Sequence, residues 1–269
     1  MRSISHLGVQ PTWAAGEYPD PVIGPPRTDP LPRLAGTEAA AHASSGERGA
    51  LARFGPLVAV HAGPDLPINT AWHDGGDGPG EDDLRAFERF CHLHGQPPTL
   101  HVLSHAARPL LPLLRARAYT LDFLLHAYTH DLAAPPPSPA LEVREEPDPD
   151  AWAVLSARGF GPGNEAIMRF VAHAPGTRRL VALVDGTPAA TAALGVREGI
   201  AALFATSTLL EFRGRGAQAA LLAARLHLAA DLGADLASVF VMPGSGSERN
   251  VRRAGFALAG ARLTFTRQA

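Results

Sequence analysis

Residues 203–232 read LFATSTLLEFRGRGAQAALLAARLHLAADL, and they carry the clearest structural signal in the chain. An apolar, β-branched run reaches Thr208, the basic turn 213–216 follows, and an alanine- and leucine-rich segment continues to Gly233. This order predicts a strand, a glycine loop and a helix that ends just before Gly233. Apolar residues at helical spacing predict the core face of that helix: Leu221, Leu222, Leu226, Ala229 and Leu232.

The glycine loop has the character of a phosphate-binding site. Gly214 and Gly216 allow the backbone to turn its N–H groups outward, beside the positive end of the helix dipole. Arg213 and Arg215 add fixed positive charge, which favours a polyanion such as a pyrophosphate.

Three kinds of phosphate loop are considered for this segment. The P-loop needs GxxxxGK[ST], and the sequence contains no lysine. The dinucleotide pattern GxGxx[GA] is met by Gly214, Gly216 and Ala219, but the acid that should end the next strand is missing, since Asp235 lies at the start of that strand. The third kind is the RxxGx[GA] loop of the GNAT superfamily, the acetyl-CoA-dependent N-acetyltransferases, which this segment resembles.

The resemblance to the GNAT superfamily extends from about Leu141 to Arg267, including the later segment SGSERNVRRAGF. Across this whole range, the predicted order of helices and strands is similar to that of a GNAT domain. Gln218 departs from the family pattern, because most members have Gly or Ala there, but the contacts at this position come mainly from the backbone. The resemblance implies an α/β (α+β) fold of two tandem GNAT-like domains, each a mixed, largely antiparallel twisted sheet flanked by helices.

The resemblance also implies acetyl-CoA as the co-substrate and a set of contacts for it. The strand before the loop would hold the pantetheine arm, and an amine would enter between this strand and Leu236–Val241. A backbone N–H near Thr208 would stabilise the oxyanion. The expected acetyl-CoA contacts are Thr206, Ser207, Thr208, Arg213, Gly214, Arg215, Gly216, Ala217, Gln218, Ala219, Ser247 and Asn250.

The residues for proton transfer depart from the family pattern. Many members have a Tyr four residues before the Gly of the final Gly-Phe pair, and that position is Val251 here; the usual Asn seven residues earlier is Gly244. Ser247 and Asn250 either contact the coenzyme or are simply residues at the start and on the surface of a helix. The candidates for a general base are Glu211, Glu165, Glu198 and His173, and the sequence does not choose among them.

The first half is predicted to repeat the architecture of the second. The division is a Pro-rich arm at 1–32, a degenerate GNAT-like domain at 33–138 and the acetyltransferase domain at 139–269. The acidic loop of the first half is predicted to repel a coenzyme, and prolines 135–139 form a stiff linker. The arm is predicted to be a mobile leader, and the alternative is that part of it docks through Trp13 and Tyr18. The predicted helices are 32–52, 82–94, 108–117, 152–158, 165–173, 216–231 and 247–254. The predicted strands are 56–61, 99–103, 119–130, 141–146, 179–184, 189–196, 200–208, 236–241 and 256–266.

Composition narrows the functional classes. The formal net charge of −2 disfavours a nucleic-acid binder, and the absence of long apolar runs disfavours a membrane protein. A single cysteine disfavours a disulfide framework and fits the cytoplasm. Scattered histidines, including His126 and His130, form no recognised metal motif, so no metal is expected. A homodimer is compatible with these data.

The sequence therefore predicts transfer of an acetyl group from acetyl-CoA to a primary amine of a small molecule or peptide. One alternative is a non-catalytic acyl-CoA sensor or scaffold, which the missing Tyr and Asn would suit. The other is a nicotinamide-dependent enzyme, which would need a parallel sheet around residue 205.

Overall fold

The computed structural model describes residues 29–134 and 138–267. The strands are β1 (Ala50–Phe54), β2 (Leu57–His61), β3 (Ala71–His73), β4 (Thr99–Leu103), β5 (Tyr119–His130), β6 (Val143–Glu145), β7 (Arg178–Val184), β8 (Thr187–Arg197), β9 (Ile200–Thr208), β10 (Leu236–Val241) and β11 (Ala257–Arg267). The helices are α1 (Leu31–Gly46), α2 (Glu81–Leu93), α3 (Ser104–Ala116), α4 (Pro149–Phe160), α5 (Glu165–Ala172), α6 (Ala217–Asp231) and α7 (Gly246–Arg253).

All the strands belong to one 11-stranded sheet in the order β1-β2-β3-β4-β11-β5-β10-β9-β8-β7-β6. Only β3 with β4 and β9 with β10 run parallel; the other neighbours are antiparallel. The run β3-α2-β4-α3-β5 has the same order of elements as β9-α6-β10-α7-β11. The predicted fold class, a mixed and largely antiparallel sheet flanked by helices, is confirmed.

The two halves of the chain exchange their last strands. Strand β5 from the first half lies between β10 and β11, so that Tyr128 is opposite Val239 on one side and Leu258 on the other. Strand β11 from the second half pairs in turn with β4, with Arg262 opposite Leu103. Strand pairing therefore crosses the predicted boundary near residue 138, and prolines 135–137 of the predicted linker lie outside the described residues.

Helix α6 follows the glycine loop as predicted and packs against β7, β8 and β9. Leu221, Leu226 and Ala229 of this helix are fully buried. The placement of Leu232 in the core face was wrong: it is the C-cap residue, and the residue is 41% exposed. The helix stops one residue earlier than its apolar spacing suggests, so Leu232 no longer follows the buried stripe.

Several predictions for the first half were wrong in their boundaries. The helix predicted at 32–52 ends at Gly46, and residues 50–54 form β1 of a hairpin whose turn contains Gly55 with φ +55. Strand β3 was not predicted at all. Helix α3 begins at Ser104, ahead of the predicted start, and has Pro109 and Pro112 inside it. Of the predicted arm, residues 1–28, with Trp13 and Tyr18, lie outside the described residues.

Helix α1 joins the two halves across the sheet. Its apolar side packs with Trp72 of β3 and Ile200 of β9 in one buried cluster. At its start, Arg33 donates to Asp235 at 2.7 Å and to the carbonyl oxygen of Glu198 at 2.7 Å. Helix α1 is therefore fixed over the place where β9 and β10 meet.

Candidate functional site

The glycine loop is open at the surface. Gly214 (φ +79) and Gly216 (φ +83) both adopt the left-handed conformation, which side-chain-bearing residues rarely tolerate. A Cβ added to either glycine would meet no atom within 4 Å. Gly216 is the N-cap of α6, so the loop leads directly into the positive end of that helix.

The loop presents a row of unused backbone donors. The N–H groups of Gly214 through Ala219, here called the free amide row, donate to no acceptor among the described residues, and the first helical bond at this end runs from Ala220 to Gly216. Consecutive free donors at a helix start form a binding site for an anion such as a phosphate.

The side chains beside the free amide row are tied to neighbours. Arg215 pairs with Asp185 at 2.6 Å, and Arg213 donates to the carbonyl oxygen of Thr208 at 3.4 Å. The amide oxygen of Gln218 accepts from Asn250 at 2.5 Å, which links α6 to α7. The side chain of Gln218, the residue that departs from the family pattern, therefore points toward α7. Ala217 is buried, whereas Ala219 and Ser247 are exposed.

Strands β9 and β10 separate soon after they meet. They pair only where residues 236–238 lie opposite residues 200–202, so the β9 edge from Leu203 onward has no partner strand on that side. A bulge adds to the separation, because Ala205 has φ +48 and the register with β8 shifts between Thr191 and Ala193. The unpaired edge can hydrogen-bond an extended ligand in the way that a sheet edge accepts an added strand.

The three predicted strand residues lie along this edge. Thr206 is half-buried, and Ser207 and Thr208 are buried. The Ser207 hydroxyl donates to the carbonyl oxygen of Ser156 at 3.1 Å, so its side chain is already used. The hydroxyl of Thr208 is buried with no partner among the residues described, which fits a hydrogen bond to a ligand placed in the gap.

A cavity of about 750 Å³ opens where the two strands diverge. Leu203 and Phe204 of β9 line one side, and Val239 and Phe240 of β10 line the other. Residues of helices α1 and α5 also line the cavity, so both halves of the chain contribute to its walls. Its lining is largely apolar, with a small number of charged side chains.

Solved structures with a similar fold are known. A GCN5-related N-acetyltransferase from Kribbella flavida is 17% identical, with a TM-score of 0.74, over 90% of this chain and 97% of that chain. Another from Sphaerobacter thermophilus is 17% identical, with a TM-score of 0.54, over 89% and 94%. A tandem GNAT protein from the clavulanic acid biosynthesis pathway is 18% identical, with a TM-score of 0.53, over 78% and 77%.

The chain has the GNAT fold. Its sequence matches no family profile and no curated protein. The nicotinamide alternative fails on the topology, because Ala205 lies in a segment whose partner strand, β8, is antiparallel. Strand β9 lines the cavity at Leu203 and Phe204, continues as an unpaired edge to Thr208 and is followed by the glycine loop.

Two charged residues of the cavity were missed by the sequence analysis. Glu38 on α1 faces the cavity, and its burial raises the pKa of its carboxyl to about 7. Arg262 on β11 also lines the cavity, and burial lowers the pKa of its guanidinium. Neither lies near the glycine motif in sequence, so no local signal pointed to them.

The general-base candidates named from sequence lie elsewhere in the GNAT fold. Glu165, Glu198, Glu211 and His173 are all absent from the lining of the cavity. His173 contacts Asp150 at 3.3 Å, and Glu211 lies 3.9 Å from Arg158 at the surface. Their positions give them no part in the cavity, whereas Glu38 is inside it.

The position of the missing family Tyr is filled by core packing. Val251 is 1% exposed and belongs to the core beneath α6. The phenol of Tyr128 on the exchanged strand β5 donates to Glu248 at 3.0 Å, and His126 contacts the same carboxylate at 2.6 Å. Burial and the bond to Glu248 raise the pKa of Tyr128. This cluster braces the start of α7 against β5.

The first-half loop is arranged differently from the glycine loop. At the start of α2 the backbone N–H of Gly80 donates to the side chain of Asp83 at 2.9 Å, and Arg85 pairs with Glu81 and Asp82. Carboxylates therefore occupy the helix end that carries the free amides in the second half. Across the described ranges, no group of three or more His, Cys, Asp or Glu side chains is placed to hold a metal ion, and no helix is long and apolar enough to cross a membrane.

Proposed function

We propose that the chain transfers the acetyl group of acetyl-CoA to a primary amine of a small molecule or peptide. The observation that carries the proposal is the free amide row at the start of α6, because it leads along the unpaired β9 edge to a cavity large enough for an acceptor. A fold alone does not fix an activity, so the proposal depends on this site.

Each part of acetyl-CoA has a matching part of the site. The pyrophosphate would bind the free amide row, with Arg213 and Arg215 adding charge. The pantetheine arm would lie along the β9 edge and present the thioester at the strand gap. A backbone N–H near Thr208 would stabilise the oxyanion formed when the amine attacks from the cavity.

A matched pair of variants tests the coenzyme site. Ala219→Glu adds a carboxylate at an exposed position in the first helical turn, where it favours the helix but repels a pyrophosphate. We expect isothermal titration to show acetyl-CoA binding weakened by about tenfold or more in this variant. Ala219→Gln, of the same size and uncharged, should bind nearly as well as the parent.

Equal affinity of the two variants would remove the loop from the coenzyme site. Failure of the parent protein to bind acetyl-CoA even at millimolar concentration would remove the proposed function altogether.

A non-catalytic acyl-CoA sensor is the second candidate, and the burial of Val251 favours it because the usual proton donor is missing. The two candidates differ in turnover. An acetyltransferase releases free coenzyme A thiol with at least one amine of a broad panel, whereas a sensor binds acetyl-CoA and releases none. Cytoplasmic location and homodimer formation stay predictions.

A further inference from the structure

The cavity contains an acidic and a basic side chain that do not pair with each other. Glu38 and Arg262 both face it, yet no hydrogen bond joins them and no ion pair within 4.0 Å is formed by either with any described residue. A charge withdrawn from water without a partner is costly, so both groups favour a ligand that supplies the missing partners.

Arg262 is held in place by aromatic rings. Its guanidinium carbon lies 5.3 Å from the ring centre of Phe240, 5.7 Å from that of Trp72 and 5.8 Å from that of Phe123. Its Nε is buried and has no acceptor among the described residues. A guanidinium oriented by flat surfaces, with donors unused, is suited to bind a carboxylate.

Glu38 has few charged neighbours. His42, on the same helix, has its pKa lowered to about 4 by burial, and burial likewise lowers the pKa of His101 on β4, so both are neutral at pH 7. Arg48, in the turn after α1, and Arg197 on β8 also line the cavity, but Arg48 stacks on Phe170 and Arg197 donates to Ser44 at 2.9 Å. Arg262 is the cation that acts on the Glu38 carboxyl.

We propose that the acceptor is a free amino acid with a large apolar side chain, whose carboxylate binds Arg262 and whose ammonium group faces Glu38. This inference rests on the proposed acetyl transfer. An ammonium and a carboxylate bonded to the same carbon suit an acidic and a basic side chain that line one cavity without pairing. A peptide N-terminus lacks the adjacent carboxylate and would leave Arg262 unpaired. Ile167, Phe170 and Val171 of α5 supply the surface for the apolar side chain.

The chemical step follows from this placement. The ammonium gives one proton to the Glu38 carboxylate, and the free amine attacks the thioester carbon. The new C–N bond forms and the C–S bond breaks, so the sulfur leaves with the electron pair. The second nitrogen proton passes to the departing thiolate, and Glu38 returns its proton to solvent. The pKa of about 7 at Glu38 suits a group that must accept and release a proton near neutral pH.

Matched acceptor pairs test the inference. Phenylalanine, leucine and tryptophan would each be compared with the amine that lacks only the carboxylate, by thiol release and by titration in the presence of coenzyme A. For at least one pair we expect the amino acid to have kcat/KM about tenfold or more above that of its amine. Arg262→Met, similar in length and uncharged, should abolish this preference while acetyl-CoA binding is kept.

Glu38→Gln provides the second readout. The rise of kcat/KM with pH through about 7 should disappear in this variant, together with about tenfold or more of the rate. Acetyl-CoA binding should not change, because Glu38 lies in the acceptor cavity.

The outcomes separate the two proposals. An equal or higher kcat/KM for the amines, or no binding of either member of any pair, overturns the amino-acid assignment even if acetyl-CoA binds. Loss of the carboxylate preference in Glu38→Gln but not in Arg262→Met overturns the assigned roles. Absence of acetyl-CoA binding in the parent overturns the proposed function itself.

Discussion

Glu38 couples the stability of the protein to pH. Its pKa rises from 4.5 in a free side chain to about 7 in the fold. A protonated carboxyl therefore fits the cavity, whereas ionisation there is opposed by burial. The folded state binds the Glu38 proton more tightly than the unfolded chain does, and this difference adds to the free energy of unfolding. The added stability is complete below pH 4.5 and is lost as the pH rises through about 7.

Glu38→Gln should reveal this dependence. The variant keeps the shape of the side chain without its charge, so its unfolding temperature should rise relative to the parent between pH 5 and pH 8. Thermal unfolding at both pH values measures the change. Glu47→Gln, at an exposed position just after α1, is the control. It should change the unfolding temperature by the same amount at pH 5 and at pH 8. A constant difference for Glu38→Gln at both pH values would contradict the prediction.

The residues of the glycine loop were predictable from the sequence, whereas the charged residues of the cavity were not. Gly214, Gly216 and the arginines between and before them form a contiguous motif, and local backbone chemistry indicates its role. Glu38 and Arg262 lie near opposite ends of the chain and meet only through tertiary packing. Each alone is an ordinary residue of a helix or a strand, so nothing in its neighbourhood marks it.

Among the elements, α4 lies close against β9 at Gly159. A Cβ at that position would lie 2.4 Å from the Ser207 hydroxyl and 2.7 Å from the Ser207 Cβ. The hydroxyl cannot move freely, because it donates to Ser156 and contacts Thr191 at 3.0 Å. The glycine therefore fixes how closely α4 covers the strand that is proposed to hold the coenzyme.

Gly159→Ala should lower the free energy of unfolding by about 1–3 kcal/mol, because α4 must move away from β9. Chemical denaturation measures this change. Gly246→Ala is the matched control, since an added Cβ in the first turn of α7 meets only the flexible end of Arg249 at 3.7 Å. A loss of stability equal in the two variants would argue against close contact at Gly159.

Elements with a clear period were predicted to within a few residues, among them β4, β5, β9, β10, α2 and α6. Elements whose limits are set by turns were not predicted to that accuracy. Strand β1 was taken as the end of a helix, because the alanines and polar residues around Gly46 do not break a helical pattern by themselves. The bulge at Ala205 was not predicted. The residue with positive φ there is an alanine, and alanine, unlike glycine, does not indicate a left-handed backbone conformation.

For the whole molecule we propose two units, divided near residue 138, that exchange β5 and β11. Each unit then has a parallel pair, β3 with β4 or β9 with β10, and receives its next strand from the other unit. The order of elements and the repeat were predictable from the sequence. The exchange was not, because both strands satisfy the same local pattern and only long-range pairing distinguishes their partners.

Separate production of the two units tests the exchange. Residues 139–269 alone lack β5, so β10 would have an open edge and β11 would lose both of its neighbours. We expect this fragment to show no cooperative unfolding, and co-production with residues 1–138 to restore a single transition. Circular dichroism during heating provides the measurement. A cooperative transition in the isolated fragment would contradict the proposed exchange.

The pairing of β11 with β4 and β5 also affects folding during synthesis. A ribosome makes β4 and β5 long before β11, so the sheet of the first half remains incomplete until translation has passed residue 267. In the nascent chain, the β4 edge is unprotected throughout this delay and is a site where chaperones or other nascent chains can attach.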